Sequence, residues 1–420
     1  MAVGGRDDEL ATIWYDDSML LQSLSSKLNL KGKRVFLRVD WNVPLDPELA
    51  PESSLKISRS IETIRALARR GAIVIIATHL GRPKGREPAL STRPFVLRLA
   101  KTYHLSLTFL GEALDTARGL ANASAILQKA KAGEVYLLEN VRFYAGETHN
   151  DPKLATAFAS LASIFVNDAF ADCHRNHASI VGMTKRIPSY AGPTLLREVK
   201  ALSRLIAKPK KPFVAIIGGA KISTKLDAFE ELFKVADHVL VGGALATAFF
   251  AAKKLEIGTS FVEKEGIVSA KKLMKNKKLM LPQDVIVAKK LASGAHARVV
   301  PVGRIQKTDA IGDIGPETMR IWSQEIKKAK TILWNGPLGV AEVPMFSHGS
   351  LVIGRVLAAK SKGPAYGIVG GGETLPIILK TGMSEWVDHL STGGGAMLEF
   401  IAKKGRLPGL LALHKKPSKK

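Results

Sequence analysis

The chain has 420 residues, 46% hydrophobic and 24% charged, so it is long enough for two or three globular domains, each with its own core. Its 62 lysines and arginines outnumber its 37 aspartates and glutamates, and the net charge of +25 favours anionic ligands. No apolar run reaches the roughly 18 residues of a membrane span. The first twenty residues are acidic and lack the basic start and apolar core of a signal peptide.

The single cysteine, Cys173, excludes an internal disulfide and makes the cytoplasm the expected compartment. The sequence contains no cysteine and histidine cluster of the kind that binds zinc. Aromatic residues make up only 6% of the chain, which leaves few stacking surfaces for nucleic-acid bases. We therefore interpret the basic runs, Lys271–Lys278 and the C-terminal tail, as solvated faces and expect no specific nucleic-acid partner.

Residues 1–30 are predicted to form a loosely held extension with a helix near Met19–Leu28. From Arg34 onward, short apolar strands alternate with amphipathic helices, a pattern typical of parallel sheets covered on both faces. The strands predicted in the first half are Val35–Val39, Ile73–Ala77, Val135–Leu138 and Ile164–Val166. The helices predicted there are Ser60–Arg70, Pro94–Tyr103 and Asp151–Leu161.

The same alternation continues in the second half of the chain. The predicted strands are Phe213–Ile217, His238–Val241, Val285–Ala288, Thr331–Trp334 and Tyr366–Val369. The predicted helices are Ser223–Ala236, Ala244–Lys254, Pro316–Lys328, Pro344–Ala359 and Ala396–Lys403. The nine predicted strands are too many for a single hydrophobic core. We therefore predict domains at 1–195 and 196–400, followed by a basic tail at 401–420. The boundary lies at a helical stretch, Leu195–Ile206, which the stop signal Lys208–Pro212 follows.

Charged and polar residues follow the strands of the first half. They are Asp40 and Asn42, His79 and Arg82, Arg142, and Arg175. Ligands of open parallel sheets bind beyond the carboxyl ends of the strands, so these side chains should meet at one edge. Arginine matches the planar geometry of carboxylates and phosphates, and the edge is predicted to be a basic pocket for a small polyanion.

Glycine-rich corners follow the strands of the second half. They are Gly218–Gly219, Gly242–Gly243, Asn335–Pro337, Gly370–Thr374 and Gly393–Gly395. Such corners supply backbone N–H groups for phosphates and room for a flat ring. After the first corner, Lys221 and Lys225 stand where a helix is predicted to open, at about Ser223. This is either a phosphate site or a plain strand–turn–helix with two solvated lysines, and it is not a Walker A loop, because GxxxxGK[ST] is absent.

A charged edge in one half and a glycine-lined edge in the other predict an enzyme that transfers a phosphoryl group between an acid and a nucleotide. The corners also form an ordered series of motifs from about Lys31 to Leu413. They are RVDWNVP (38–44), HLGRPKG (79–85), LLENVRF (137–143), VNDAFADCHRNH (166–177), GGAKISTK (218–225), DIGPET (313–318), WNGPLGVAE (334–342), GGGET (370–374) and STGGGAMLE (391–399). In these motifs the chain resembles the phosphoglycerate kinase family.

The resemblance implies reversible phosphoryl transfer from 1,3-bisphosphoglycerate to Mg-ADP, giving 3-phosphoglycerate and Mg-ATP. It implies an α/β fold of two Rossmann-like domains, each a parallel sheet flanked by helices, joined by a hinge helix. The first domain would bind phosphoglycerate and the second the nucleotide, with the tail packing back on the first. The family is usually monomeric, so we expect a cytoplasmic monomer without a membrane partner.

The resemblance also assigns roles to individual residues. The phosphoglycerate pocket would consist of Asp40, Asn42, Lys56, His79, Arg82, Arg142 and Arg175. The nucleotide would contact Lys221, Lys225, Gly242, Gly243, Asn335, Glu342, Gly371, Gly372 and Thr374. Glu373 would bind Mg²⁺, and the residues expected to act on the moving phosphoryl group are Arg175, Lys221 and Gly394.

The chain departs from the family pattern at four positions. Lys56 stands where the family has an arginine, and either Lys56 acts as a point charge or Arg59 replaces that arginine. Glu373 replaces the usual magnesium aspartate, Thr224 an aspartate between the two lysines, and Ala341 a phenylalanine. These departures leave open a catalytically weakened relative that binds RNA or another polyanion.

Overall fold

The computed structural model describes residues 12–14, 20–44 and 52–414. The chain forms two compact units. The first consists of the chain up to Lys200 together with the segment from Gly405 onward, and the second is Ala201–Lys404. Their division at 200/201 lies five residues from the predicted boundary of 195/196. Residues 1–11 and 415–420, at the ends of the predicted extension and tail, lie outside the described residues.

The first unit is built on a six-stranded parallel sheet in the order β5-β6-β4-β3-β7-β8. Its strands are β3 (Arg34–Arg38), β4 (Ile73–Ala77), β5 (Thr108–Leu110), β6 (Val135–Leu138), β7 (Ile164–Asn167) and β8 (Ser189–Ala191), and a short antiparallel pair, β1 (Thr12–Trp14) and β2 (Leu20–Gln22), precedes them. Its helices are α1 (Glu52–Arg69), α2 (Pro94–Tyr103), α3 (Ala117–Gln128), α4 (Pro152–Ser160), the start of α5 (Pro193–Ile206), and α13 (Pro408–Ala412) near the C-terminus.

Both faces of this sheet are buried, because alternate residues of a strand point to opposite sides. In β3, Val35 and Leu37 belong to one apolar cluster, whereas Phe36 belongs to a second cluster across the sheet. The four central strands therefore appear in the sequence as continuous apolar runs, which is why their positions could be predicted closely, whereas the short edge strands β5 and β8 were not predicted.

Helix α5 runs across the boundary between the units, and a buried carboxylate determines where it begins. Asp168 Oδ1 accepts the N–H groups of Thr194 (2.7 Å) and Leu195 (3.1 Å), while its Oδ2 accepts the hydroxyl of Thr63 on α1 (2.7 Å). This carboxylate satisfies free donors of the first helical turn and ties α5 to α1.

The second unit contains a six-stranded parallel sheet in the order β11-β10-β9-β15-β16-β17 and an antiparallel sheet in the order β13-β12-β14. The strands are β9 (Phe213–Ile217), β10 (His238–Val241), β11 (Leu279–Met280), β12 (Asp284–Ala288), β13 (Arg298–Pro301), β14 (Ala310–Ile314), β15 (Thr331–Asn335), β16 (Tyr366–Gly370) and β17 (His389–Ser391). The helices are α6 (Leu226–Val235), α7 (Ala244–Ala252), α8 (Lys264–Leu273), α9 (Pro316–Lys328), α10 (His348–Lys362), α11 (Leu375–Lys380) and α12 (Gly395–Ala402).

Two predictions of local structure are wrong. The helix expected over Met19–Leu28 is absent there, because Leu20–Gln22 is a strand and Ser23 bridges to Ala191 of the first sheet. The strand predicted at Val285–Ala288 exists, but it belongs to the antiparallel sheet rather than to the parallel one. Among the described residues, no helix combines the length and apolar character that a membrane span requires.

Candidate active-site residues of the two units

In the first unit, the buried carboxylate of Asp172 lies beyond the carboxyl ends of the parallel strands, with four basic side chains around it. Arg38 Nη2 lies 2.9 Å and His79 Nδ1 3.3 Å from its Oδ2; Arg175 Nε lies 3.5 Å and Arg142 Nη2 3.8 Å from its Oδ1. Burial opposes ionisation of Asp172, but the neighbouring His79 and Arg38 hold its pKa well below the usual range. Burial lowers the pKa of His79, although Asp172 opposes the fall, so the ionised carboxylate organises three charged arginines and an imidazole.

Arg142 has hydrogen-bonding capacity that the protein leaves unused. Its Nη1 donates to the carbonyl of Gly81 at 2.5 Å, but its Nε and Nη2 have no hydrogen-bond partner within the described ranges, and neither does Nε of Arg175. Burial lowers the pKa of Arg142 to about 10 and Asp172 limits the fall, so the guanidinium stays charged at neutral pH. Buried charged donors without acceptors indicate an anionic ligand.

Asp40, Asn42 and Lys56 form a second group at the same edge. Lys56 Nζ donates to Asp40 Oδ2 at 2.8 Å, the N–H of Asn42 donates to Asp40 Oδ1 at 3.1 Å, and Asn42 Oδ1 accepts the N–H of Gly81 at 2.9 Å. Arg82, next in the chain after Gly81, is exposed and makes no hydrogen bond or ion pair with the described residues. Its guanidinium is thus available to a ligand.

The structure distinguishes the two candidates for the family's missing arginine. Lys56 points at Asp40 and so faces the predicted pocket. Arg59, one turn further along α1, instead lies 3.6 Å from the fully buried carboxylate of Glu198 on α5, and burial lowers the pKa of Arg59 although Glu198 raises it. This geometry favours Lys56 as the cation of the pocket and gives Arg59 a structural partner.

Ligand atoms of Asp40, His79 and Asp172 lie within 4.8 Å of one another, a spacing that could hold a metal ion. Both carboxylates already have cationic partners, Lys56 for Asp40 and Arg38 for Asp172. With further arginines beside it, this group has the electrostatics of an anion pocket rather than of a cation site.

Two residues of this cluster, Arg38 and Asp172, were not among the residues predicted from the sequence. Arg38 is fully buried in β3, and its Nε donates to Ser179 Oγ at 3.0 Å. The Ser179 hydroxyl in turn donates to Oε1 of the buried Glu147 at 2.5 Å. The available signal was an arginine inside an otherwise apolar strand, RVFLR, because a charge in a buried strand needs a partner. Asp172 gave no comparable signal, since nothing in the sequence distinguishes it from Asp168, which follows the same strand but binds the start of α5.

In the second unit, two of the predicted glycine corners pack directly on each other. The N–H of Gly218 donates to the carbonyl of Asn335 at 2.8 Å, and the N–H of Gly219 donates to the carbonyl of Pro337 at 2.9 Å. A Cβ on Gly218 would lie 2.1 Å from the Pro337 oxygen, and one on Gly243, where φ is +63°, would lie 2.6 Å from it. These glycines allow backbone to meet backbone.

A cavity of about 220 Å³ lies beside these corners, and it brings together the predicted residues Gly243, Glu342 and Glu373. Gly242 packs against Leu338, where a Cβ would meet Cδ2 at 2.8 Å, and does not line the cavity.

Of the other predicted nucleotide-site residues, some form hydrogen bonds within the protein and others border open space. The carbonyl of Gly370 accepts Nδ2 of Asn335 at 2.9 Å, and the hydroxyl of the buried Thr374 accepts the N–H of Gly336 at 2.7 Å. Around Gly372 and Gly394 there is open space, with no atom within 4 Å of an added Cβ. Gly371, at φ +113°, is the tight position between Asn335 and Thr374.

The two lysines of the first corner differ in environment. Lys221 is exposed, whereas Lys225 is half-buried, with Nζ 2.5 Å from the carbonyl oxygen of Gly218. Burial lowers the pKa of Lys225 to about 8, and the nearby carboxylate of Glu373 limits the fall. Lys225 and Glu373 are therefore neighbours, as a shared phosphate and metal site would require.

A carboxylate of the protein occupies one backbone donor at the turn after this corner. A short 3-10 turn, Ser223–Lys225, precedes α6, and Glu263 accepts both the N–H (3.0 Å) and the hydroxyl (2.5 Å) of Ser223. Glu263 thus takes the backbone donor of Ser223, and the N–H of Lys225 donates to the carbonyl of Ile222 at 2.9 Å. The basic character of the turn thus comes from Lys221 and Lys225.

A parallel α/β unit with an arginine pocket and a second such unit with a glycine-lined cavity and two lysines define a two-domain phosphoryl-transfer enzyme. The family model for phosphoglycerate kinase matches residues 25–404. The phosphoglycerate kinase of Prosthecochloris aestuarii is 41% identical over 402 residues, which cover 93% of this chain and 98% of that protein.

Phosphoglycerate kinase 3, cytosolic, of Arabidopsis thaliana is 40% identical over 391 residues, covering 92% of this chain and 96% of the relative. The solved structure of phosphoglycerate kinase from Coxiella burnetii superposes with a TM-score of 0.78 at 37% identity, covering 94% of this chain and 98% of that one. The chain belongs to the phosphoglycerate kinase family. Both the family predicted from the motifs and the α/β fold with two parallel sheets are thereby confirmed.

Proposed function

We propose that the chain catalyses the reversible, Mg-dependent transfer of a phosphoryl group from 1,3-bisphosphoglycerate to ADP, giving 3-phosphoglycerate and ATP. The family provides the activity, that of a glycolytic phosphotransferase with a carboxyl acceptor. The observation that carries it in this chain is Arg142, a buried guanidinium whose Nε and Nη2 have no hydrogen-bond partner among the described residues. The comparisons give no support to the alternative of a weakened relative that binds RNA.

The acid is assigned to the first unit. Arg142 and Arg175, whose unused donors lie beside Asp172, are suited to a phosphate or carboxylate. The other proposed contacts to phosphoglycerate are Asp40, Asn42, Lys56, His79 and Arg82. Their spread of charge and hydrogen-bonding groups matches a molecule with a phosphate, a hydroxyl and a carboxylate.

The nucleotide is assigned to the second unit. Lys221 and Lys225 would bind its phosphates together with Asn335, Thr374 and the backbone of Gly371 and Gly372, while Gly242, Gly243 and Glu342 would surround its base and ribose. Lys221 supports this assignment best, because it is exposed next to the cavity-lining residues Gly219 and Ala220 and is free to follow a phosphate.

The residues fit a reaction that needs no general base. In the direction of ATP use, an ionised carboxylate oxygen attacks the γ-phosphorus, a C–O–P bond forms, and the bond to the bridging oxygen of ADP breaks. The barrier is lowered by in-line positioning and by cations around the equatorial oxygens, the roles proposed for Arg175 and Lys221, with Gly394 as a main-chain donor. Because acid and nucleotide are assigned to different units, the units must close during turnover, with bending expected near Gly192–Arg204 and Leu390–Gly395.

Glu373 is the residue that would hold Mg²⁺. It is exposed, lines the cavity, and its charge acts on Lys225, so it stands where nucleotide phosphates are expected. Mg²⁺ commonly binds one or two carboxylates together with substrate phosphates, so a single glutamate is a sufficient protein ligand. When bound, the metal would neutralise charge on the phosphates.

The experiment is a coupled assay with ATP, 3-phosphoglycerate and Mg²⁺. We expect turnover by the wild-type chain and a loss of more than about a hundredfold for Lys221→Ala or Arg175→Ala, since each removes charge stabilisation from the transition state. The matched control is Lys271→Ala, an exposed lysine on α8, which should retain full activity. A folded wild-type chain without turnover would refute the proposal.

We further propose that the protein works as a monomer in the cytoplasm, without a membrane or nucleic-acid partner. The cytosolic relative from Arabidopsis thaliana supports the compartment.

A further inference from the structure

A cavity of about 550 Å³ lies in the first unit, between the C-terminal half of α1, the start of α5 and the segment Ser23–Lys27. The buried Val166 of β7 also lines it, so the cavity reaches down to the sheet. Its volume falls within the range of roughly 300–1,000 Å³ that is typical of small-molecule sites. Neither the acid nor the nucleotide has been assigned to this cavity.

The cavity is separate from the anion pocket of the same unit. Both border α1, but Lys56 faces the anion pocket, whereas Thr63, Ala66 and Arg70 line the cavity. At 1.5 Å per helical residue, Ala66 lies about 15 Å along α1 from Lys56. Of the residues that the structure describes, none that we assign to phosphoglycerate lines the cavity.

Contacts within the protein hold the walls of the cavity in place. Arg70 Nη2 donates to the carbonyl groups of Ser25 at 2.8 Å and Ser26 at 3.2 Å, and both serines line the cavity. Ser23 bridges to Ala191 at the end of β8, and these two residues line it as well. Because the walls are fixed before a ligand arrives, binding would cost little ordering of the protein.

The walls are mainly aliphatic. The apolar side chains that line the cavity include Leu24, Leu67, Pro193 and Leu196, and no aromatic ring joins them within the described part of the chain. Such a lining suits a flexible hydrocarbon chain, which gains from burial alone, rather than a flat ring that gains from stacking.

The charged side chains that line the cavity are all cationic. They are Lys27, Arg70 and Arg197, and among the described residues no aspartate or glutamate lines it. Arg197 Nη1 lies 3.1 Å from Glu62 Oε2, but both side chains are exposed, so this ion pair is weak and can give way to another anion. Lys27 and Arg70 form no ion pair within the described ranges. The cavity therefore favours a ligand with a negative charge.

We propose that this cavity is a second ligand site, which binds a free aliphatic carboxylate. The hydrocarbon chain lies between α1 and α5, and the carboxylate contacts Lys27 and Arg197. Each CH₂ group that enters the cavity should strengthen binding roughly fourfold. The ligand thereby contacts α5, the helix that runs across the boundary between the units. The proposal does not depend on the reaction that the chain catalyses.

The test is titration of the full chain with octanoate at pH 7, followed by isothermal titration calorimetry. We expect one saturable site. Hexanoate, with two fewer CH₂ groups, should bind roughly tenfold more weakly. Octanol, which has the same chain without the charge, should also bind roughly tenfold more weakly, because it forgoes charge-assisted contacts with the lysine and arginine side chains.

Two variants locate the site, each with a matched control on α3. Ala66→Trp places an indole in the cavity from an exposed position and should weaken octanoate binding at least roughly tenfold, whereas Ala121→Trp should not. Arg197→Gln should weaken octanoate binding roughly twofold to tenfold and leave octanol binding unchanged. Arg118→Gln removes an equally exposed arginine far from the lining residues in sequence and should change neither.

Three results would overturn the proposal. They are the absence of a saturable octanoate site in the folded wild-type chain, equal octanoate affinity of Ala66→Trp and Ala121→Trp, and octanol binding as tight as that of octanoate. Because residue 66 is exposed, Ala66→Trp should unfold near the wild-type temperature, and this checks that the variant is folded. A chain without turnover that binds octanoate as described would refute the proposed function and support this site.

Discussion

Replacing Lys225 by methionine tests the balance between charge and burial at the centre of the second unit. Burial lowers the pKa of this lysine from 10.5 to about 8. At about 1.36 kcal/mol for each pKa unit, the charged form destabilises the fold by about 3 kcal/mol relative to the neutral form. Methionine keeps much of the apolar stem but loses the hydrogen bond to Gly218, worth about 1 kcal/mol. We expect the variant to be more stable than the wild type by about 2 kcal/mol at pH 7, and inactive.

The sign of the pH dependence follows from proton binding. Between about pH 8 and 10.5 the unfolded chain holds a proton at Lys225 that the folded chain has lost, so this lysine makes wild-type stability rise with pH over that window. The advantage of Lys225→Met is therefore largest below pH 8 and disappears near pH 10, where the remaining cost of the buried charge, about 0.8 kcal/mol, is offset by the lost hydrogen bond. Urea unfolding of both proteins at pH 7, 8, 9 and 10, compared as differences, measures this.

Lys221→Met is the matched control, because Lys221 is an exposed lysine of the same segment. Its stability at pH 7 should stay close to that of the wild type, because the side chain lies in solvent. The reasoning is refuted if Lys225→Met is less stable than the wild type at pH 7, or if its advantage is the same at pH 7 and pH 10.

Two further predictions concern packing and charge. Lys56→Ala should reduce kcat/KM for 3-phosphoglycerate roughly tenfold to a hundredfold, at about 1.4 kcal/mol per factor of ten, and Lys56→Arg should not. Arg59→Ala should instead lower stability by about 3 kcal/mol in urea unfolding, because it leaves Glu198 buried without that cation. The reverse pattern would show that Arg59 serves the pocket. Gly218→Ala should cost about 1–3 kcal/mol in urea unfolding, because its Cβ meets a backbone oxygen, while Gly372→Ala should be neutral; equal stability of the two variants would contradict the packing argument.

The parallel sheets could be predicted from the sequence because strands buried on both faces are uninterrupted apolar runs. Strands such as Ile73–Ala77 and Phe213–Ile217 have the predicted bounds for this reason. The antiparallel sheet was missed because β14, AIGDI, contains a glycine and an aspartate, and its strand character comes from pairing with β12. The prediction of a helix over Met19–Leu28 was wrong because a short apolar run fits both the helical and the strand period. Pairing with the first sheet, seen in the bridge from Ser23 to Ala191, favours the extended conformation.

Tertiary contacts limited the prediction of the candidate site in a similar way. Residues directly after strands could be found, because topology alone brings strand ends to one edge. The contact between Glu263 and Ser223 spans 40 residues, and no local pattern predicts that this carboxylate accepts the N–H of Ser223.

The net charge of +25 and the anion pocket are separate properties. Charges on the surface are screened beyond roughly 10 Å at physiological salt, so most of the excess cannot act on a bound ligand. Within the pocket, Arg38, Arg142 and Arg175 stand against one carboxylate, Asp172, which leaves two positive charges. A phosphate group carries about −1.5 to −2 at pH 7 and balances them. On the proposed assignment, a few arginines held by one buried carboxylate would therefore select the ligand, and a chain of ordinary net charge with the same cluster would select it equally well.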